Sequence, residues 1–169
     1  LYDVSEIAIP FDQVDEEAIA SPVKWDVKFI EHFMLVFGPV SSVFDFLTFY
    51  ALLHVFDAGV ALFHTGWFME SMTTQVLVVF AIRTRRWFFS SKPNGFLVAM
   101  AIAVVVVAIG LPLLPVGRWF GFVAPPPLFF VFLIGATIAY LALVEITKRV
   151  FYHFNAGRST WAAMNIMPG

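Results

Sequence analysis

The chain has 169 residues, of which 60% are hydrophobic, 18% aromatic and only 13% charged, with a formal net charge of -2. Water-soluble domains carry about 25% charged and about 45–50% apolar residues, so a soluble globular fold is excluded. The absence of cysteine removes disulfide scaffolds, thiolate metal sites and cysteine nucleophiles, and the absence of excess positive charge removes a nucleic-acid footprint.

In chain order, LYDVSEIAIP lacks the basic, apolar and small-residue regions of a signal peptide. It is mostly apolar and ends in a proline, which stops a helix, so residues 1–10 are expected to be the C-terminal half of a helix that starts upstream. The chain is accordingly expected to be a piece of a longer one. Residues 11–28 form an acidic loop carrying Asp12, Asp15, Glu16 and Glu17. A hydrocarbon core of about 30 Å needs about 20 mostly apolar residues in a helix, and segments 33–56, 67–82, 96–114 and 128–144 meet that test, two of them with help from flanking residues. The expected fold is all-α: a multi-pass membrane bundle with four complete transmembrane helices within residues 29–147, preceded by half of another. Residues 148–169 are expected to form a C-terminal tail.

Lysine and arginine collect on the cytoplasmic side of membrane proteins. Four crossings put Lys24, Lys28, Arg83, Arg85, Arg86, Lys92, Lys148, Arg149 and Arg158 on one side and Arg118 alone on the other. Residues 11–28 and the C-terminal tail are therefore predicted to be cytoplasmic, in a cell membrane of the inner or plasma type. The two outer loops, 57–66 and 115–127, are short, and the second carries Trp119, Phe120 and Phe122, as an interfacial belt does. Gly135 with Ala139, and Ala99 with Ala103, have the spacing that lets helices approach closely.

A charged side chain at a helix centre costs roughly 2.5–3.5 kcal/mol on insertion scales, so polar residues in spans face a bundle interior or a water path. Asp45 sits mid-span with Ser41 and Ser42 a turn before it; it is either a protonated acid bonded to a neighbouring helix or part of a cation or proton pathway. In the second span, Glu70 lies within a turn of Trp67, as an interfacial residue does, and Gln75 lies deeper, where it makes an interhelical hydrogen bond or lines a pathway. The third span has no ionisable side chain, and the fourth has none before Glu145, so both read as scaffold. His32, His54, His64 and His153 fall near span ends without the spacing of a transition-metal site. There is no glycine-rich phosphate loop and no nucleophile elbow. Asp3 lies eight residues before Phe11, about 12 Å along a helix, which puts it near the membrane midplane, where pumps and transporters place cation ligands.

The opening LYDVSEIAIPFDQVDEE, taken with GPVSSVFDFLTF and QVLVVFAIRTRR, resembles the C-terminal region of magnesium-transporting P-type ATPases. The resemblance runs to about Asn155. It implies that residues 1–10 end the sixth transmembrane helix of a pump and that the four spans are helices seven to ten. It also implies that Asp3 matches an aspartate that ligands the transported ion. Gln75 matches an eighth-helix glutamine of sodium-pump-like relatives, with Val78 where those relatives have an acid. Through the resemblance, Mg2+ is the expected cargo, ATP is hydrolysed by upstream parts of the parent and not bound by this chain, and the partners are those upstream domains and membrane lipid, with no nucleic acid. Mg2+ gives up water reluctantly, so one or two carboxylates with retained waters would hold it. The acidic loop of Asp12, Asp15, Glu16 and Glu17 becomes a cation-capture or coupling element. A non-enzymatic membrane scaffold subunit, or a proton-coupled carrier using Asp45 and Glu70, stand as the alternatives.

Overall fold

A computed structural model describes residues 27–82 and 94–164, with Phe29 and residues 154–164 described by their backbone alone. Asp3, Asp12, Asp15, Glu16 and Glu17 lie outside the described residues, as do Lys24, Arg83, Arg85, Arg86 and Lys92. In hydrocarbon every backbone N–H and C=O must be satisfied within the chain, which favours helices, and the described residues are helical with short connections. Helix α1 is Val27–Tyr50, continued by a π-helical turn Ala51–Val55; α2 is Val60–Ile82, α3 is Gly95–Gly110 and α4 is Pro127–Met164. Two short 3-10 turns, Leu111–Leu113 and Pro115–Phe120, join α3 to α4.

The boundaries have local causes. Asn94 caps α3, its side-chain oxygen accepting from the Phe96 N–H at 2.8 Å. Pro127 opens α4, where its missing N–H is no loss. Pro39 lies inside α1, a placement that membrane helices tolerate. The wide π turn closes through Phe56 N–H to the Ala51 carbonyl at 3.0 Å and Ala58 N–H to the Leu52 carbonyl at 2.9 Å. Asp57 then reverses the chain at φ 46°, a left-handed conformation that aspartate adopts more readily than most residues.

Because this reversal is so short, α2 begins at Val60, seven residues before the predicted start of the second span, and most of the predicted loop 57–66 is helix. The last helix runs well past the predicted end of the fourth span, so residues 148–164 of the expected tail are helical. Loss of hydrophobicity after Ile146 does not end a helix, since lysine and arginine are good helix formers. Among the described residues three segments, Ile30–Val55, Gly95–Leu113 and Pro127–His153, are long and apolar enough to cross a membrane. Helix α2 has 23 residues, a sufficient length, and carries Thr65, Glu70, Ser71, Thr73, Thr74 and Gln75 among its apolar residues.

The central helix is α2, which packs against α1, α3 and α4. Leu52, Met69, Phe129 and Leu133 form one apolar cluster near the loop end. Phe37, Phe44, Ala81, Tyr140, Val144 and Phe151 form another toward the opposite end. Val76, Ala101 and Val104 fasten α3 to α2. Lys28, Lys148 and Arg149 lie at the same end of the bundle, where Phe33 meets Phe151 edge-on at 5.7 Å between ring centres, and Arg118 lies at the loop end.

The predicted small-residue contacts are not the ones used. Gly135, Ala139, Ala99 and Ala103 are exposed among the described residues, because the buried stripes of α4 and α3 are set by Leu133, Ala136 and Tyr140 and by Leu97, Ala101 and Val104. The close approach occurs at Gly66, where a Cβ would come within 2.6 Å of Leu52 Cδ2 and 3.2 Å of Phe129 Cε2.

Candidate functional site

Between the two apolar clusters lies a band of polar side chains contributed by α1, α2 and α4. The Ser41 hydroxyl and the Tyr140 hydroxyl are 3.0 Å apart, linking α1 to α4, and the Tyr140 ring meets Phe44 edge-on at 5.3 Å. Trp67 on α2 donates its indole N–H to Asp45 Oδ1 on α1 at 3.2 Å, with Phe49 packed edge-on against the indole. Glu70 is 2% exposed, and its Oε2 has no hydrogen-bond partner. Trp67 is three residues before Glu70 on α2, so the indole that meets Asp45 lies one turn from the Glu70 carboxyl.

The threonines of the bundle divide into two groups. Thr65, Thr73 and Thr74 each donate to the carbonyl four residues before, those of Ala61, Met69 and Glu70, at 2.8, 2.7 and 2.9 Å. That is the ordinary way for a helical threonine to satisfy its hydroxyl. Thr65 also accepts from the Val123 N–H at 3.1 Å, tying the loop before α4 to α2. Thr48 on α1 and Thr137 on α4 are equally buried, but their hydroxyls have no partner.

A second polar group closes the opposite end of the bundle. Lys148, 1% exposed, donates to the Ala81 carbonyl at 2.8 Å and pairs with Glu145 at 2.6 Å, while Arg149 approaches Glu145 at 3.7 Å. Ala81 is the penultimate residue of α2, so the ammonium takes up a carbonyl that a helix end otherwise leaves without an intrahelical partner, at the end where the helix dipole favours positive charge.

Of the residues singled out from the sequence, Asp45 and Glu70 are brought together and Gln75 is not. Gln75 is exposed, about 140° around α2 from Glu70 at 100° per residue. Glu70 is deep in the bundle. Thr48, Thr137, Tyr140 and Lys148 were not singled out. Thr48 follows Asp45 by three residues and so shares its side of the helix, and Lys148 follows Glu145 by three; these spacings were the signals available.

Helices of membrane-crossing length around buried acids define a helical membrane protein with a polar interior. The chain belongs to the family described as cation transporting ATPase, C-terminus, which matches residues 1–150. It is 42% identical over 153 residues to "Magnesium-transporting ATPase, P-type 1" of Salmonella typhimurium (strain LT2), covering 88% of this chain and 17% of the relative. The protein of the same name in Escherichia coli (strain K12) is 40% identical over 153 residues, with the same coverage. A further Salmonella typhimurium protein of that name is 34% identical over 156 residues, covering 89% of this chain and 17% of the relative. The chain thus spans about a sixth of the length of these relatives.

Proposed function

We propose that this chain is the C-terminal membrane portion of an ATP-driven pump that transports Mg2+. The observation that carries the proposal is the similarity to magnesium-transporting ATPases over 88% of the chain, within a family match that begins at residue 1 and so includes Asp3. ATP hydrolysis belongs to upstream domains, which are the main partners, and lipid surrounds the outward-facing apolar residues. All four long helices cross the membrane, with the basic residues on the cytoplasmic side and Arg118 outside.

Asp3 is the ion ligand. A carboxylate near the midplane supplies the hard oxygen that Mg2+ requires, while retained waters complete the octahedron that this small ion demands. Asp12, Asp15, Glu16 and Glu17 then follow on the cytoplasmic side, where they transmit changes in the phosphorylation domain to the helix bearing Asp3. Helices α1 to α4 brace that moving part.

The test is Asp3→Asn in the full-length protein, with Mg2+-stimulated ATP hydrolysis and Mg2+ uptake as readouts. Loss of at least tenfold in both is expected, since an amide keeps the size and removes the charge. Replacing the four loop acids by Asn and Gln in the same assay should slow turnover with little change in the Mg2+ concentration for half-maximal activity. Retention of full Mg2+-stimulated activity by Asp3→Asn would overturn the ligand assignment.

A further inference from the structure

Two pairs of contacts fix the height of the unpartnered groups in the bundle. Phe44 on α1 meets Tyr140 on α4; one turn toward the loops from that contact lie Thr48 on α1 and Thr137 on α4. Leu52 on α1 packs against Gly66 on α2; one turn away from the loops from that contact lie Thr48 again and Glu70. Thr48, Glu70 and Thr137 therefore share one level of the three-helix core. Their exposures are 0%, 2% and 8%, and each offers a polar atom that nothing bonds. Leu52, Met69, Phe129 and Leu133 close the level on the loop side, and Phe44, Tyr140 and Val144 close it on the other.

The charges around this level are few. From α1 comes Asp45, held by Trp67; from α4 comes Tyr140, bonded to Ser41; α3 contributes no ionisable side chain. The buried cation of the described residues, Lys148, is eleven residues beyond Thr137, about 16 Å along α4, and is engaged by Glu145 and Ala81. An ionised carboxylate without a cation is strongly disfavoured in a dry interior, and such a group neutralises. Among the described residues no group of three His, Cys, Asp or Glu side chains gathers as a metal ion would require. What the level does present is one carboxyl and two hydroxyls, and a buried water typically makes about three hydrogen bonds to groups of this kind.

We infer that Thr48, Glu70 and Thr137 form a proton-binding site in the membrane interior, in which Glu70 is a neutral carboxylic acid joined to the two threonine hydroxyls through one buried water. The inference does not depend on which ion the protein carries. The carboxyl O–H and one threonine hydroxyl donate to the water, and the water donates to the oxygen of the other threonine.

The experiment is infrared spectroscopy of the full-length protein in lipid bilayers at neutral pH. The wild type is expected to show a carboxylic-acid carbonyl band that is lost in Glu70→Gln. The pair Thr48→Val and Thr137→Val, which keeps side-chain shape, should leave the band present but shift its frequency, because the bridging partner is gone. Glu70→Asp retains an acid and should move the band without removing it, which keeps the assignment open to test if the Gln variant does not fold. Identical carbonyl bands in wild type, Glu70→Gln and Glu70→Asp would overturn the proton site. A band indifferent to the valine pair would overturn the part played by the threonines and the water.

Discussion

Asp45 and Glu70 show how two carboxyls in one membrane bundle take different roles. Asp45 is half-buried and accepts a hydrogen bond from Trp67 on the neighbouring helix. An amide oxygen accepts equally well, so Asp45→Asn should leave the melting temperature and most of the transport rate of the full-length protein unchanged; a proton-coupled carrier using Asp45 would instead lose its coupling. Trp67→Phe removes the donor and should destabilise by about 0.6 kcal/mol, the average for interhelical hydrogen bonds of this kind, read as a small drop in melting temperature. From the sequence Glu70 reads as interfacial, because Trp67 resembles the start of a span. The helix starts at Val60, ten residues or about 15 Å before Glu70, and that depth follows from a turn whose tightness depends on Asp57 adopting a left-handed backbone. Nothing in the alternation of apolar and polar residues encodes it.

Helix by helix, hydrophobic length was the signal that reported on structure, and it reported on span more faithfully than on helix. The first and third helices were legible within a few residues, whereas the continuation of α4 through Lys148 and Arg149 was not, because charges that end a hydrophobic run are good helix formers. Its continuation carries Lys148 to the end of α2. Lys148→Met removes the shorter of the two ion pairs of Glu145, leaving the 3.7 Å contact with Arg149, and takes the donor from the Ala81 carbonyl. A loss of about 3 kcal/mol is expected from breaking a buried pair, measured as a lowered unfolding midpoint in detergent. Combining Lys148→Met with Glu145→Gln should recover part of that loss, since the uncompensated charge goes with it. The small-residue spacing in α3 and α4 misdirected the packing reading for a related reason: it marks where helices can approach, while Gly66, isolated in sequence, marks where α1, α2 and α4 do approach.

For the molecule as a whole, the membrane class and the all-α architecture were legible from composition, and the family from three short motifs. The polar level at Thr48, Glu70 and Thr137 was not, because it depends on the mutual register of three helices that sequence spacing within any one of them does not contain. Whether α2 crosses the bilayer is open to a direct test, helped by the absence of native cysteine from this chain. In otherwise cysteine-free full-length protein, Asp57→Cys should react with a membrane-impermeant maleimide from outside the cell, and Lys92→Cys only after permeabilisation; labelling of both from the same side would mean that α2 does not cross. The π-helical turn Ala51–Val55 has its own bearing on how such chains vary in length. Each of its rings holds one residue more than an α-helical ring. A relative shorter by a single residue there could wind that turn normally and still present the Leu52 counterpart to the glycine opposite, so the turn supplies slack that absorbs a deletion which the tightly fitted helix before it could not.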